Sequence, residues 1–144
     1  MFHKTNPIDA DPVRVFNALT DIAAIPHWIP TIRSARLLSP GPLGQETRFT
    51  QDAVIGSWYF PIDGVVRQYN RPYQLDYEYE RGVMAGYWSY VIVPADHGTI
   101  LETRIEFSAP RLLRPLLGKI VSGNLDNFAK WAASRTCLPA ERAS

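Results

Sequence analysis

"PRLLRPLLGKIVSGNLDNFAKWAASRT", residues 110–136, decides how this chain must fold. Leu113, Leu116, Leu117, Ile120, Val121, Leu125, Phe128 and Trp131 recur at three- and four-residue intervals. That spacing lays apolar side chains along one broad stripe of a helix. Pro115 stands early in the stretch, so the pattern predicts a helix over roughly 111–135, with Pro110 to Arg114 as a lead-in turn. Gly118 and Gly123 each cost up to about 1 kcal/mol of helix propensity, so packing must hold such a helix together.

The partner for that stripe lies upstream. From Thr31 the apolar period is two, and candidate strands run over 32–39, 45–54, 57–69, 73–81, 84–94 and 98–108. "SPGPLGQ", "IGS", "NRPY", "RGV" and "PADHGT" separate them, all rich in turn-forming residues. Connections this short join antiparallel neighbours. "LDYEYER" (75–81) and "ILETRIEF" (100–107) alternate cleanly, so each strand has one wet and one dry face. Six dry strand faces need a cover, and the 111–135 helix supplies it.

Before the strands, residues 2–9 read as a first strand. Asp9 or Asp11 caps a helix running "VRVFNALTD", with Pro12 near its first position and Val13, Phe16 and Leu19 as its apolar stripe. "DIAAIPHWIP" is confined by Pro26 and Pro30 to a helical turn and a loop. The whole chain, 1–144, reads as one α+β domain.

Composition narrows the function. At 144 residues, 46% hydrophobic and 20% charged, the chain can build one sizeable core. A net charge of +1 argues against a nucleic-acid partner. No apolar run approaches the ~20 residues of a membrane helix, so no stable membrane insertion is expected. "MFHKTNPIDADP" has no signal-peptide core, and Cys137 is the single cysteine, which together fit a cytoplasmic protein. His3, His27 and His97 lack spaced carboxylate partners, no phosphate-binding glycine loop is present, and "GSWYFP" lacks a nucleophile elbow. No metal or cofactor is expected, and no catalytic residue is assigned.

Alternation does point to a cavity. Trp58, Phe60, Ile62 and Val66 share one face of their strand; Leu75, Tyr77 and Tyr79 oppose Asp76, Glu78 and Glu80; Leu101, Thr103, Ile105 and Phe107 oppose Glu102, Arg104 and Glu106. With the charged sets outside, aromatics with polar tips face the helix, which suits a pocket with scattered hydrogen-bonding groups. On the helix, Asn124 interrupts the apolar stripe near Phe128, and a buried amide needs partners. The expected walls are Trp58, Phe60, Tyr77, Tyr79, Thr103, Phe107, Asn124 and Phe128, with Gln51 a weaker candidate.

"GVMAGYWSYVIVP", residues 82–94, is ambiguous because apolar side chains fall on both parities. With Val91 and Val93 inward, Trp88 and Tyr90 stand on the outer face and form an association surface, for a homodimer or a partner protein. The rival register, one residue over, puts Trp88 and Tyr90 in the cavity and Tyr87 outside.

"IDADPVRVFNALTDIAAIPHWIP", "GPLGQETRF", "GVVRQYNRPYQLDYEY" and "HGTILETRIEF", followed by the amphipathic helix, together resemble the START-like or SRPBCC superfamily, including its polyketide cyclase/dehydrase-like members. The resemblance implies a helix-grip fold: a curved antiparallel sheet of six to seven strands wrapped around a long C-terminal helix, with two short helices after the first strand. It also implies that the His27–Trp28 loop borders the cavity opening, which makes Trp28 a residue of the mouth. The function implied is binding or transport of a hydrophobic small molecule such as a lipid, polyketide or aromatic metabolite. One alternative is a polyketide cyclase/aromatase or dehydrase using Tyr77, Tyr79 and Asn124; another is an adaptor that binds a protein through its outer sheet face.

Overall fold

The computed structural model of the chain describes residues 2–80 and 85–135. Strand β1 (Phe2–Ile8) is followed by helix α1 (Pro12–Thr20) and a 3-10 turn (Ile22–His27). Six strands come next: β2 (Ile32–Leu37), β3 (Arg48–Ile55), β4 (Trp58–Asn70), β5 (Gln74–Tyr79), β6 (Gly86–Ala95) and β7 (Gly98–Phe107). The long helix α2 (Arg114–Arg135) closes the fold. The strands form one sheet in the order β1-β7-β6-β5-β4-β3-β2, and every pairing is antiparallel. The two periodicities led to strands covered by a long helix, and the architecture is the helix-grip fold that the resemblance implies.

Local chemistry explains the helix ends. Asp11, rather than Asp9, caps α1 by accepting a hydrogen bond from the Arg14 amide at 2.9 Å, with Pro12 directly behind it. Val13 lies outside the stripe and is exposed; Val15, Phe16, Ala18 and Leu19 are the buried set. A helix beginning at Pro12 turns Val15 inward with Phe16 and Leu19, which leaves Val13 to solvent. Pro110 to Leu113 form the expected lead-in turn, with the Leu113 amide bonded to the Pro110 carbonyl at 3.0 Å.

The register of β6 overturns the outward placement of Trp88 and Tyr90. The β6–β7 turn has only two residues, Asp96 and His97, between the paired Ala95 and Gly98. Counting back from that pair sets Ile92 opposite Leu101, Tyr90 opposite Thr103 and Trp88 opposite Ile105. Cross-strand partners share a face, so Trp88 and Tyr90 follow β7's apolar set inward. Both are 4% exposed, whereas Tyr87 and Val93 are each 37% exposed. The association surface expected from Trp88 and Tyr90 therefore does not exist. On the outer face, the Tyr87 hydroxyl donates to Asp76 at 3.0 Å, and burial followed by that bond pushes its pKa up to about 12. Met84, the "RGV" turn and Cys137 lie outside the described residues.

Helix α2 is fixed along one flank. Lys4 donates to Ser122 at 2.7 Å and pairs with Asp126 at 3.2 Å, while the Asn6 amide donates to Asp126 at 3.0 Å. The helix backbone packs most closely on β1 and α1, at one side of the sheet, and stands away from β2–β4. Space remains between its other flank and those strands. One glycine shapes the far wall of that space: Gly64 of β4 pairs with Phe49 of β3, and the Phe49 ring lies across it. A Cβ at position 64 would meet Phe49 Cζ at 2.5 Å.

Candidate functional site

Between the free flank of α2 and the inner face of the sheet lies a cavity of about 140 Å³. Helix α2 contributes Leu117, Ile120, Val121, Asn124 and Leu125; the sheet contributes Gln51, Phe60, Ile62, Tyr77, Tyr79, Trp88 and Tyr90; the loop after the 3-10 turn contributes Trp28, Ile29 and Thr31. The partly exposed members, among them Ile29, Thr31, Phe60, Asn124 and the 43% exposed Ile120, mark where the cavity meets the surface.

Of the walls expected from alternation, Phe60, Tyr77, Tyr79 and Asn124 are in place. Trp58 is not. It has the inward parity but begins β4 at the hairpin end, beyond the cover of α2, and is 75% exposed. Thr103 is fully buried on the inner face without lining the cavity, and its hydroxyl has no hydrogen-bond partner among the described residues. Phe107 packs edge-on against Trp88 at 5.5 Å and borders a surface groove with Phe2, Arg111 and Arg114 instead. Phe128 lies behind the wall, 4.8 Å from the Trp28 ring. Trp28 itself is buried in that wall, its carbonyl accepting from Asn127 at 3.4 Å, so the mouth passes Ile29 and Thr31 of the same loop rather than Trp28. Trp88 and Tyr90, which the preferred register put outside, are central walls, and the two-residue turn was the sequence signal for them.

An aromatic lattice holds these walls. Phe49 packs edge-on to Tyr77 and Tyr79 at 5.0 and 5.8 Å, Tyr77 to Tyr90 at 5.9 Å, and Tyr79 to Trp88 at 4.8 Å. Each such pair adds about 0.5–1.5 kcal/mol beyond its buried area, which stiffens the sheet side of the cavity.

The polar groups are few and uncharged. No Asp, Glu, Lys, Arg or His lines the cavity among the described residues. The Tyr77 hydroxyl donates to the Leu19 carbonyl at 3.1 Å, and the Tyr79 hydroxyl accepts from Gln51 at 3.2 Å. Burial raises the pKa of Tyr77, Tyr79 and Tyr90 above that of a free phenol, so all three stay protonated and act as donors, not bases. His27 is exposed and stacks on Trp131 at 5.8 Å, clear of the cavity. No group of three His, Cys, Asp or Glu that could hold a metal occurs among the described residues. The arrangement can enclose an apolar body and offer hydrogen bonds to it.

Comparison with known proteins agrees with this architecture. The family model described as polyketide cyclase / dehydrase and lipid transport matches residues 2–133. No curated protein matches the chain in sequence. Among solved structures, a protein from Nitrosomonas europaea superposes with a TM-score of 0.78 at 14% identity, covering 94% of this chain and 96% of its own. A START superfamily protein from Mycobacterium smegmatis gives 0.68 at 20% identity, over 92% and 94%. The di-domain ARO/CYC StfQ from the steffimycin biosynthetic pathway gives 0.76 at 13% identity, over 95% of this chain and 51% of that one. At these identities the structural likeness concerns the fold alone.

Proposed function

Because the chain belongs to the polyketide cyclase / dehydrase and lipid transport family, within the START-like (SRPBCC) superfamily, we propose that it binds and carries a hydrophobic small molecule in the cavity under α2. The observation that carries this reading is the lining: aromatic and aliphatic walls, a few neutral hydrogen-bonding groups, and an opening along one helix flank. A carrier needs nothing more. A cyclase of the same family would use the phenols of Tyr77, Tyr79 and Tyr90 to hold carbonyl oxygens of a reactive chain. Acid–base catalysis also calls for a group that titrates near neutrality, and the described lining offers none.

NMR titration with ethylbenzene tests the reading. Saturable shifts centred on Tyr77, Trp88 and Asn124 are expected; shifts that never saturate, or that scatter over the surface, would sink it. Incubation with an aromatic polyketide precursor separates the two roles, since a carrier returns it unchanged.

A further inference from the structure

Building on that reading, we infer that the ligand is a neutral molecule about one ring in size, with an acceptor oxygen such as a carbonyl that takes its hydrogen bond from Tyr90. Size comes first. An apolar cavity of about 150 Å³ takes up benzene, and this one measures about 140 Å³. A fused polyketide or a long acyl chain exceeds that volume and would have to project through the opening.

Charge comes second. A carboxylate or phosphate carried into the cavity would meet no cation in the described lining, and the desolvation of an unpaired ion costs several kcal/mol. Fatty acids are thereby disfavoured, together with any acid whose charge must go inside.

The donor comes third. Tyr77 has committed its proton to the Leu19 carbonyl, and the Tyr79 oxygen, which keeps its own proton, already accepts from the Gln51 amide. Tyr90 stands beside them, its ring 5.9 Å from that of Tyr77, as a cavity-lining phenol for which no protein acceptor is seen among the described residues. A ligand oxygen gives that phenol the hydrogen bond that the protein does not supply. A hydrocarbon fills the same volume without doing so.

Four probes and two variants test the inference by calorimetric titration of the intact chain: acetophenone, ethylbenzene, benzoate and 1-acetylnaphthalene, against Tyr90→Phe and Tyr77→Phe. Wild type is expected to bind acetophenone and ethylbenzene, to bind benzoate at least about a hundredfold more weakly than acetophenone, and to reject the two-ring ketone. Tyr90→Phe should weaken acetophenone roughly two- to tenfold and leave ethylbenzene unchanged, the loss of one hydrogen bond. Ethylbenzene binding also reports that the variant is folded. Tyr77→Phe should lower the melting temperature without changing the ratio of the two affinities. Equal effects of Tyr90→Phe on both probes would overturn the donor assignment. Binding of benzoate or 1-acetylnaphthalene as tight as that of acetophenone would overturn the charge or size argument. If wild type binds none of the four, the carrier reading itself falls.

Discussion

Gly64→Ala adds a single methyl group at the point where β3 and β4 are most tightly matched. That methyl would sit 2.5 Å from Phe49 Cζ and 3.0 Å from both Cε atoms, well inside van der Waals contact. The ring tip is the far end of a side chain, but it has nowhere easy to go. Phe49 is fully buried, with Tyr77 and Tyr79 edge-on at 5.0 and 5.8 Å. Overpacking of this kind costs about 1–3 kcal/mol. Replacing glycine in a strand returns about 0.5–1 kcal/mol of chain entropy. The expected net loss is about 0–2.5 kcal/mol, centred a little above 1 kcal/mol, or a melting temperature lower by up to about 10 °C for a chain of this size. The displaced ring moves Tyr77 and Tyr79 into the cavity, so ethylbenzene affinity should fall as well. Phe49→Leu, itself destabilising, should cost less in the Gly64→Ala background than alone, because it removes the clash. Scanning calorimetry of the four proteins measures this cycle. Additive losses, or a Gly64→Ala protein as stable as wild type with unchanged affinity, would refute the reasoning.

Trp88→Glu puts a carboxylate where a 4% exposed ring now packs against Tyr79 and Phe107; a loss of several kcal/mol and an unfolded circular-dichroism spectrum are expected. A folded, soluble variant would return Trp88 to the surface. Trp58→Ala should change stability by no more than about 0.5 kcal/mol and leave ethylbenzene affinity intact; a weaker complex would bring Trp58 back to the cavity. Asp126→Asn should cost at most about 1 kcal/mol, because the pair with Lys4 is half exposed. Lys4, then Asn6, hold the Asp126 carboxyl below its ordinary value of 3.8 by hydrogen bonding. Its contribution is therefore complete above pH 3.8 and is lost as pH falls through the lower folded-state value. The melting curves of wild type and variant should converge over that acid range, and a gap that widens there contradicts the clamp.

The strands and the long helix were legible because charge and turn chemistry mark them. Glu78 and Glu80 set the parity of β5, and Glu102, Arg104 and Glu106 set that of β7, so Tyr77, Tyr79 and Ile105 could be turned inward from sequence. Residues 85–93 have no charge on either parity, and alternation alone cannot orient them. The information was present at longer range: a two-residue turn at Asp96–His97 fixes Ile92 against Leu101, and β7 was already oriented. Trp58 shows a different limit. Parity gives the direction of a side chain but not how far the helix extends over it, and β4 outruns its cover. The coupling of Gly64 to Phe49 depends on which strand positions face each other, and the cavity volume depends on how the aromatic rings settle. Neither quantity is written in a periodic pattern.

The division of labour along α2 bears on how this chain can diverge. Ser122 and Asp126 tie the helix to β1, whereas Leu117, Ile120 and Asn124 look into the cavity from the neighbouring flank. A substitution at Ile120 or Asn124 leaves the tethers of Ser122 and Asp126 to Lys4 and Asn6 untouched. On the carrier reading proposed above, ligand preference and fold stability are set at separate positions of one helix, and a lineage could alter what it carries by a few residue changes without first acquiring a compensating mutation elsewhere.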